Sequence, residues 1–233
     1  MARANRPHIT LTYAQSLDGS LTARRGEPLA LSGPEAMRMT HQLRAEHDAI
    51  LVGIGTVLAD DPQLNVRLVP GESPQPIILD SQLRFPLSAR LMGNSKKPWI
   101  VTTPVYSDMD AGRADRAKML ESAGIKVLAV RPDSGGHVSL PDMITELNAL
   151  GIRTLMVEGG AKVLTAFFRA HLVDEVIITV APVFVGGVSV LETLLPAPFP
   201  RLDVHSVEAC GRDWLIRGQL LPVSASFNYA GQK

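Results

Sequence analysis

Residues 53–67, GIGTVLADDPQLNVR, combine residue types that bind ligands with residue types that turn the chain. Gly53 and Gly55 follow an apolar run and would let a ligand approach the backbone, because glycine has no side chain. Asp60 and Asp61 stand side by side before a proline. Adjacent carboxylates point in different directions, so we expect at most one of the two to do chemistry. The alternative is a solvated turn in which one aspartate caps the backbone.

Thr56 and two arginines extend this set of candidate residues. Thr56 is expected to cap a short helical turn that Pro62 ends, with its hydroxyl free to meet a ligand. Arg44 and Arg67 are candidate anion partners, because the arginine fork matches phosphate oxygens. Either arginine alone is better explained as a surface salt bridge. Together with two strands that end in glycines, the pair predicts a site that holds more than one phosphate group.

The second of these strands lies in residues 157–164, VEGGAKVL. Its glycines permit close approach of a ligand, and the free N–H groups of the helix that follows suit a phosphate. The pattern is not the GxGxxG fingerprint, so it gives no support to a standard dinucleotide fold. A bare Gly-Gly is better explained as a tight turn. Glu158 favours a ligand site over a tight turn, because open α/β sheets bind ligands at the carboxyl ends of their strands.

A third apolar strand ends in Asp80-Ser81-Gln82-Leu83-Arg84. Ser81 and Arg84 could take the 2′-phosphate of NADP, and a structural turn is an equally good interpretation. The six histidines have no metal-ligand spacing, and the chain lacks the GxSxG, Walker and zinc-deaminase motifs. The sequence therefore predicts no metal site and favours neither a hydrolase, a kinase nor a zinc deaminase.

The elements that must position these residues alternate between strands and helices. Ser32 is expected to cap a first helix that runs to about Glu46, with Pro34 and Glu35 in its first turn. The alternation predicts an α/β fold with a mostly parallel sheet and helices on both faces. SVEACG and DWLIRGQLLPV predict a C-terminal antiparallel hairpin. Further strands are predicted over 8–14, 48–54, 74–80, 97–103, 125–130, 153–160 and 174–182, and further helices over 110–124, 140–151 and 161–172.

Composition narrows the class of protein. The 233 residues are 45% hydrophobic, which suffices for one domain over residues 1–233, with a polar tail from about residue 223 that we expect to fray. Lys and Arg balance Asp and Glu at 23 each, which argues against nucleic-acid and polybasic membrane partners. The single cysteine, Cys210, excludes a disulfide framework. No signal peptide or membrane span is predicted, so we expect a soluble, cytoplasmic protein.

Four segments carry a resemblance to a known family. Residues 10–23, 30–68, 74–86 and 155–164 resemble the reductases of riboflavin biosynthesis, and most of all their stand-alone fungal and archaeal type. The matches extend from residue 10 to about residue 190. The resemblance implies a dihydrofolate-reductase-like α/β fold and usually a homodimer. It also implies that NADPH reduces the phosphoribosylamino group of a pyrimidine to a ribitylamino group.

The same resemblance implies a role for each candidate residue. Asp60 is the side chain expected closest to the chemistry, where it orients the nicotinamide carboxamide or shuttles a proton. The arginines are expected near the substrate phosphate. The implied cofactor-binding residues are Thr56, Asp60, Ser81, Gly159, Gly160, Ala161, Lys162 and Val163, of which the last five form a pyrophosphate turn. The implied substrate-binding residues are Arg44, Leu64, Arg67 and Glu158.

Pro28-Leu29-Ala30 departs from the fused bacterial reductases, which carry Ser-x-Trp there, and agrees with the stand-alone type. Three alternatives stay open. The substrate is the diaminopyrimidinone or its deaminated uracil form, which differ at one exocyclic group. A relative that reduces another pterin or pyrimidine would leave Arg44 and Arg67 without a phosphate. A non-catalytic nucleotide-binding protein would have no need for Thr56, Asp60, Arg67 and Glu158 together.

Overall fold

The computed structural model describes residues 6–105, 110–193, 195 and 199–221. The strands are β1 (His8–Ser16), β2 (Ser20–Thr22), β3 (Ala49–Gly53), β4 (Gln75–Leu79), β5 (Trp99–Thr102), β6 (Lys126–Ala129), β7 (Thr154–Val157), β8 (Glu175–Ala181), β9 (Val188–Ser189), β10 (Leu202–Cys210) and β11 (Asp213–Leu220). The α-helices are α1 (Pro34–Glu46), α2 (Ile54–Asp60), α3 (Ala111–Ser122), α4 (Leu140–Ala149) and α5 (Ala161–Arg169), and a 3-10 helix covers Arg90–Gly93.

One sheet holds nine strands in the order β10-β11-β8-β1-β7-β3-β4-β5-β6. From β8 to β6 all neighbouring strands run parallel. Strand β11 pairs antiparallel with both β8 and β10, and β2 and β9 form a separate short ribbon. The predicted mostly parallel sheet and C-terminal hairpin are therefore confirmed, whereas the short ribbon and the 3-10 helix were not predicted.

Helices cover both faces of the sheet, as predicted. In β3, Ile50 and Val52 pack into the core cluster covered by α1 and α3, whereas Leu51 packs into the cluster covered by α4 and α5. All three side chains are fully buried. Successive strand residues point to opposite faces, so a strand buried on both sides needs an uninterrupted apolar run. This requirement is why the apolar run over 48–54 predicts a strand at the centre of the sheet.

The predicted cap of the first helix at Ser32 is wrong. Helix α1 begins at Pro34, and its N-cap is Gly33, which has extended backbone and no side chain to form a cap. The Gly33 N–H instead donates to Oδ2 of Asp213, at 2.6 Å, from the start of β11. A carboxylate at a helix N-terminus is favourable because the helix dipole is positive there. A distant residue thus provides the acceptor that local reasoning assigned to a serine.

The predicted cap of the second helix at Thr56 is also wrong. Helix α2 begins at Ile54 directly after β3, and its N-cap is Gly53. Thr56 therefore lies inside the first turn of the helix. The helix ends at Asp60, and Asp61 follows it in a left-handed conformation just before Pro62.

The structure also bears on the predictions about membrane spans, metal sites, the cysteine and the C-terminal tail. In the part of the chain that the structure describes, no helix is both long and apolar enough to cross a membrane, and no three His, Cys, Asp or Glu side chains group as metal ligands. Cys210 is half-buried at the end of β10, and burial raises the pKa of its thiol. The polar tail from about residue 223 lies outside the described residues.

Candidate active site

The two glycine-ended strands lie next to each other. Strands β3 and β7 pair in parallel register, and the Glu158 N–H donates to the Leu51 carbonyl at 3.0 Å. The carboxyl ends of both strands therefore meet at one edge of the sheet, where open α/β sheets bind ligands. Helix α5 approaches this edge closely, because a Cβ at Gly53 would lie 2.9 Å from Val163 Cγ2, and one at Gly159 would lie 2.6 Å from Val163 Cβ. These two glycines serve the packing of Val163, whose side chain is buried.

Gly160 differs from these two glycines. Its backbone is extended, with φ −71° and ψ 172°, so the turn does not require glycine for its conformation. A Cβ at Gly160 would lie 3.6 Å from Thr56 Oγ1, which is an ordinary contact. The absence of a side chain at Gly160 therefore leaves an open space between the N-terminus of α5 and the hydroxyl of Thr56.

The N-terminus of α5 offers unpaired donors to this space. The N–H groups of Val163 and Leu164 donate to the Gly160 carbonyl at 2.9 and 3.1 Å, but those of Ala161 and Lys162 have no partner among the described residues. Free N–H groups and the positive end of a helix dipole favour an anion. The residues present thus fit the diphosphate of a dinucleotide, through two backbone amides and the Thr56 hydroxyl.

Asp60 and Asp61 have different surroundings, as expected of adjacent carboxylates. Asp61 Oδ1 accepts the Arg90 N–H at 2.9 Å, so this side chain holds the 3-10 helix in place. Asp60 is exposed at the end of α2, and its carboxyl has no hydrogen-bond partner within the described chain. Partial burial of the carboxyl raises the pKa of Asp60. Asp60 is therefore the carboxyl group of the pair that can meet a ligand.

Arg44 and Glu158 form a largely buried ion pair. Arg44 Nε and Nη2 donate to the two Glu158 oxygens at 2.8 Å each, and Nη1 donates to the Asn65 carbonyl at 3.2 Å. The side chains are 8% and 19% exposed. Burial lowers the pKa of Arg44, but the charge and hydrogen bonds of Glu158 outweigh it and raise that pKa overall. The Arg44 fork is thus taken by Glu158, and the pair ties α1 to the end of β7.

Of the two candidate arginines, Arg44 and Arg67, only Arg67 is exposed. Its Nη1 donates to Asn65 Oδ1 at 3.0 Å. Burial and then the positive charges of Arg44 and Arg90 lower the pKa of Arg67. A pKa lowered by neighbouring cations marks a region of positive potential, which favours an anion.

Leu64 contributes to this end of the site through its backbone. Its side chain is 2% exposed and belongs to the core cluster covered by α1 and α3. Its φ of +51° is left-handed, as is the φ of +40° at Asp61. These two residues turn the chain after α2 and bring Asn65 and Arg67 back to Arg44.

His41 also belongs to this cluster, although its residue type and spacing predicted no role for it. The ring is fully buried, and Nδ1 accepts the Arg67 N–H at 3.1 Å. Burial and the positive charges of Arg44 and Arg67 lower the pKa of His41 to about 4, against a smaller opposing effect of Glu158. The available signal was the spacing in α1, because residues three apart share a helix face and His41 is three residues before Arg44.

This lowered pKa predicts a pH dependence of stability. Between about pH 6.5 and about pH 4 the unfolded chain binds a proton at His41 that the folded chain does not. The free energy of unfolding should therefore fall as the pH falls through this range, by up to about 1.4 kcal/mol per pH unit from this group. Urea unfolding at a series of pH values measures this slope, which His41→Asn should reduce and His137→Asn, at an exposed histidine, should not. Equal slopes for wild type and His41→Asn would contradict the expectation.

The Asp80–Arg84 turn is organised around a buried carboxylate. Asp80 Oδ2 accepts the Phe85 N–H at 2.8 Å, and burial raises the pKa of Asp80. Arg84 Nε lies 3.8 Å from Asp80 Oδ1, and the Arg84 side chain is 56% exposed. These contacts support the interpretation as a structural turn for Asp80 and Arg84. Ser81 is half-buried at the carboxyl end of β4, on the same edge of the sheet as Gly53.

Asp18 is a second residue whose role was not predicted from the sequence. Its carboxylate accepts the N–H groups of Val185 and Gly186, at 3.0 and 2.6 Å, and the hydroxyls of Ser16 and Ser20. The Ser16 bond and the two backbone bonds hold the pKa of Asp18 below its usual range. Asp18 thus fastens together the loops after β1 and β8, at the edge that carries the candidate site. The Asp-Gly turn in SLDGS was the available signal.

The fold and the site define an α/β protein whose candidate site lies at the carboxyl edge of a parallel sheet, between the N-terminus of α5 and a cluster of arginines. The chain belongs to the RibD C-terminal domain family, whose model matches residues 7–216. Family membership confirms the predicted resemblance and makes the protein an oxidoreductase of riboflavin biosynthesis.

Individual relatives agree with this assignment. The chain is 38% identical over 208 residues to the 2,5-diamino-6-ribosylamino-4(3H)-pyrimidinone 5′-phosphate reductase of Debaryomyces hansenii, covering 78% of each protein. It is 36% identical over 215 residues to the riboflavin biosynthesis protein RibD of Aquifex aeolicus, covering 91% of this chain but 57% of that protein. The solved Saccharomyces cerevisiae riboflavin biosynthesis reductase Rib7 is 30% identical with a TM-score of 0.71, covering 95% of this chain and 93% of that one. The predicted reductase fold class is thereby confirmed.

Proposed function

We propose that this chain uses NADPH to reduce 2,5-diamino-6-(5-phosphoribosylamino)pyrimidin-4-one, converting its phosphoribosylamino side chain to the ribitylamino form by hydride transfer to C1′. The main observation in support of this proposal is a site that combines an anion-binding turn at the α5 N-terminus with a separate cationic cluster around Arg67. Such a site suits a phosphorylated substrate beside a dinucleotide. The Debaryomyces relative is named for the same reduction.

The α5 end of the site is proposed to hold the cofactor. The Gly159–Val163 turn would bind the diphosphate through the N–H groups of Ala161 and Lys162, with Thr56 beside them and Ser81 towards the 2′-phosphate. NADPH, when bound, supplies the hydride for C1′. The protein contributes position, because two reactants held in contact react faster than the same groups free in solution.

The arginine end is proposed to hold the substrate. Arg67 would bind the phosphate, since its guanidinium is exposed in a positive region. Arg44 would act by holding Glu158, whose oxygens keep lone pairs that can accept from substrate hydroxyl or amino groups. Leu64 would contribute through its backbone, because its side chain is buried in the core.

Asp60 is proposed to handle the proton. Ring opening of the ribose and reduction of the resulting imine both require protons at oxygen or nitrogen. A carboxyl group with a raised pKa and no internal partner can donate a proton nearer neutral pH than an ordinary aspartate. The alternative is that Asp60 orients the nicotinamide carboxamide.

Several further properties belong to the same proposal. Residues 1–233 would act as a single reductase domain in the cytoplasm, without nucleic-acid or membrane partners. The working form would be a homodimer. Support comes from the edge strand β10 and its neighbour β11, which expose Val204, Val207 and Trp214. Apolar side chains on an open sheet edge favour association.

A turnover assay with two substrates tests the proposal. The loss of NADPH absorbance is followed with the diaminopyrimidinone and with 5-amino-6-(5-phosphoribosylamino)uracil. We expect consumption with the former, and faster consumption with the latter would select the deaminated substrate. Binding of NADPH without consumption would indicate a non-catalytic protein, and consumption only with dihydrofolate would indicate a different reductase.

Arg67→Ala should raise the KM for the pyrimidine phosphate by about ten- to hundredfold and change NADPH binding little. The reason is that a charge-assisted hydrogen bond contributes about 1.5–3 kcal/mol. Steady-state kinetics and NADPH titration measure the two effects. Arg131→Ala is the matched control, because Arg131 is an exposed arginine that pairs with Asp142 beyond the outer strand β6. An unchanged KM in a folded Arg67 variant would remove this residue from the site.

Gly160→Val should weaken NADPH binding by about ten- to hundredfold and leave the fold intact. The backbone tolerates valine at this φ, but the branched side chain would fill the space before the α5 amides. Titration with NADPH and thermal unfolding measure the two effects. Gly159→Ala is the contrasting variant, because its Cβ would collide with Val163 and cost stability. If Gly160→Val binds NADPH like wild type, the glycine pair is only a tight turn.

A further inference from the structure

We propose that His41 is the positioning residue for Arg67: its ring Nδ1 accepts the Arg67 N–H and so fixes the segment that presents the Arg67 guanidinium to the substrate phosphate. The inference rests on the proposed function, because it takes that phosphate as the ligand of Arg67. His41 is fully buried and acts through Arg67, so it is not a catalytic residue.

His41 and Arg44 connect helix α1 to the irregular segment 65–67. His41 and Arg44 lie one turn apart on α1, and both bind the segment 65–67. Arg44 donates to the Asn65 carbonyl, and His41 accepts the Arg67 N–H. These two bonds anchor the backbone of the segment on either side of Val66. The one hydrogen bond of the Arg67 guanidinium within the described residues is to Asn65 in the same segment, so its direction depends on this anchoring.

The chemistry of the ring is specific to this task. Nδ1 accepts, so the neutral ring carries its proton on Nε2. Nε2 is buried and has no hydrogen-bond partner among the described residues. An unpaired buried N–H costs free energy, so a plain core side chain would be more favourable at this position if filling space were the only need. The acceptor at Nδ1 is what the histidine adds.

The surrounding charges require the ring to stay neutral. Arg44 on α1, Arg67 on its own segment and Glu158 after β7 act on His41 electrostatically. A proton on Nδ1 would abolish the acceptor and add a third positive charge beside the two arginines. The Arg67 backbone would then be released from α1. Fixing it in advance lowers the entropy cost of binding the phosphate, so its loss should appear in substrate affinity.

Two substitutions separate the acceptor from the volume of the ring. His41→Leu fills the space without an acceptor, whereas His41→Asn places Oδ1 as many bonds from Cβ as Nδ1. The probes are ribose 5-phosphate in equilibrium titration, steady-state kinetics with the pyrimidine phosphate, and hydrogen exchange at the Arg67 amide. Loss of one such hydrogen bond should change affinity by about two- to tenfold.

We expect His41→Leu to raise the Kd for ribose 5-phosphate and the substrate KM by about two- to tenfold. The kcat and the NADPH affinity should stay near wild type, exchange at the Arg67 amide should accelerate, and His41→Asn should restore all three altered values. Unchanged affinity in His41→Leu, or equal losses in both variants, would overturn the inference. If His41→Leu does not fold, His41→Gln replaces it, because its oxygen lies one carbon further out.

Failure of the proposed function and failure of the His41 inference would give different experimental results. Wild-type protein that binds ribose 5-phosphate but consumes no NADPH with either pyrimidine would refute the reductase. The comparison of the two His41 variants would still decide the role of the ring. Wild-type protein that does not bind ribose 5-phosphate would overturn the inference itself.

Discussion

Asp60→Asn is expected to lower kcat by about two orders of magnitude and to remove one limb of the pH profile. The Asp60 carboxyl is exposed at the end of α2 without a partner among the described residues, and partial burial raises its pKa. If the protonated acid acts, wild-type turnover should fall as the pH rises through this raised pKa. Asparagine has a similar size but cannot transfer a proton at neutral pH. Turnover measured over a pH series checks both effects.

Asp61→Asn is the matched control for this experiment. Asparagine tolerates the left-handed conformation of Asp61, and its Oδ1 can still accept the Arg90 N–H. We expect wild-type turnover from this variant. A loss in Asp60→Asn that appears only in NADPH affinity, with the pH profile unchanged, would favour the role in orienting the nicotinamide. Wild-type kcat at every pH would exclude the proton role.

Arg44→Met should destabilise the fold by about 3 kcal/mol and raise the substrate KM. Removing one member of a buried ion pair leaves the other charge unpaired, which costs about 3–5 kcal/mol. The partial exposure of Glu158 places the expectation at the lower end of that range. Urea unfolding measures the stability. The double variant Arg44→Met/Glu158→Gln should recover part of the loss, because it also removes the unpaired charge.

Arg131→Met provides the comparison for Arg44→Met. The Arg131–Asp142 pair has the same 2.8 Å contact, but its side chains are 81% and 32% exposed. Exposed pairs contribute little to stability because solvent screens their charges, so this variant should unfold at nearly the same urea concentration as wild type. Similar losses in the two methionine variants would mean that the burial of Arg44 and Glu158 adds nothing to their pair.

The sheet could be predicted because its strands repeat a simple physical requirement. A strand buried on both faces has to be apolar throughout, as Ile50, Leu51 and Val52 are. Pairing of β7 between β1 and β3 could not be predicted in the same way. An apolar run shows that a strand is buried, but it does not show which strands are its neighbours.

The candidate residues could be located from the sequence, but their partners could not. Glycines at strand ends and the Asp-Asp pair mark the carboxyl edge of the sheet by residue type alone. The Arg44–Glu158 pair joins residues 114 positions apart, and the sequence carries no local sign of it. The caps at Ser32 and Thr56 were wrong because local propensity competes with glycines and, in α1, with a carboxylate from β11. His41 and Arg67 are 26 residues apart, so their contact likewise has no local sign in the sequence.

The contact between Gly33 and Asp213 determines when helix α1 can gain its N-terminal acceptor during synthesis on the ribosome. Helix α1 carries His41 and Arg44 and is synthesised early, but the carboxylate at its N-terminus lies 180 residues later. Glu158, the ion-pair partner of Arg44, also emerges after most of the chain has been made. A nascent chain that ends before β11 therefore contains every candidate site residue, from Arg44 to Val163, but lacks the carboxylate at the N-terminus of α1. The Asp213 carboxylate can reach Gly33 only after residue 213 has been synthesised, so the acceptor at the N-terminus of α1 is made later than Arg44 and Glu158, the ion pair that this helix carries to the end of β7.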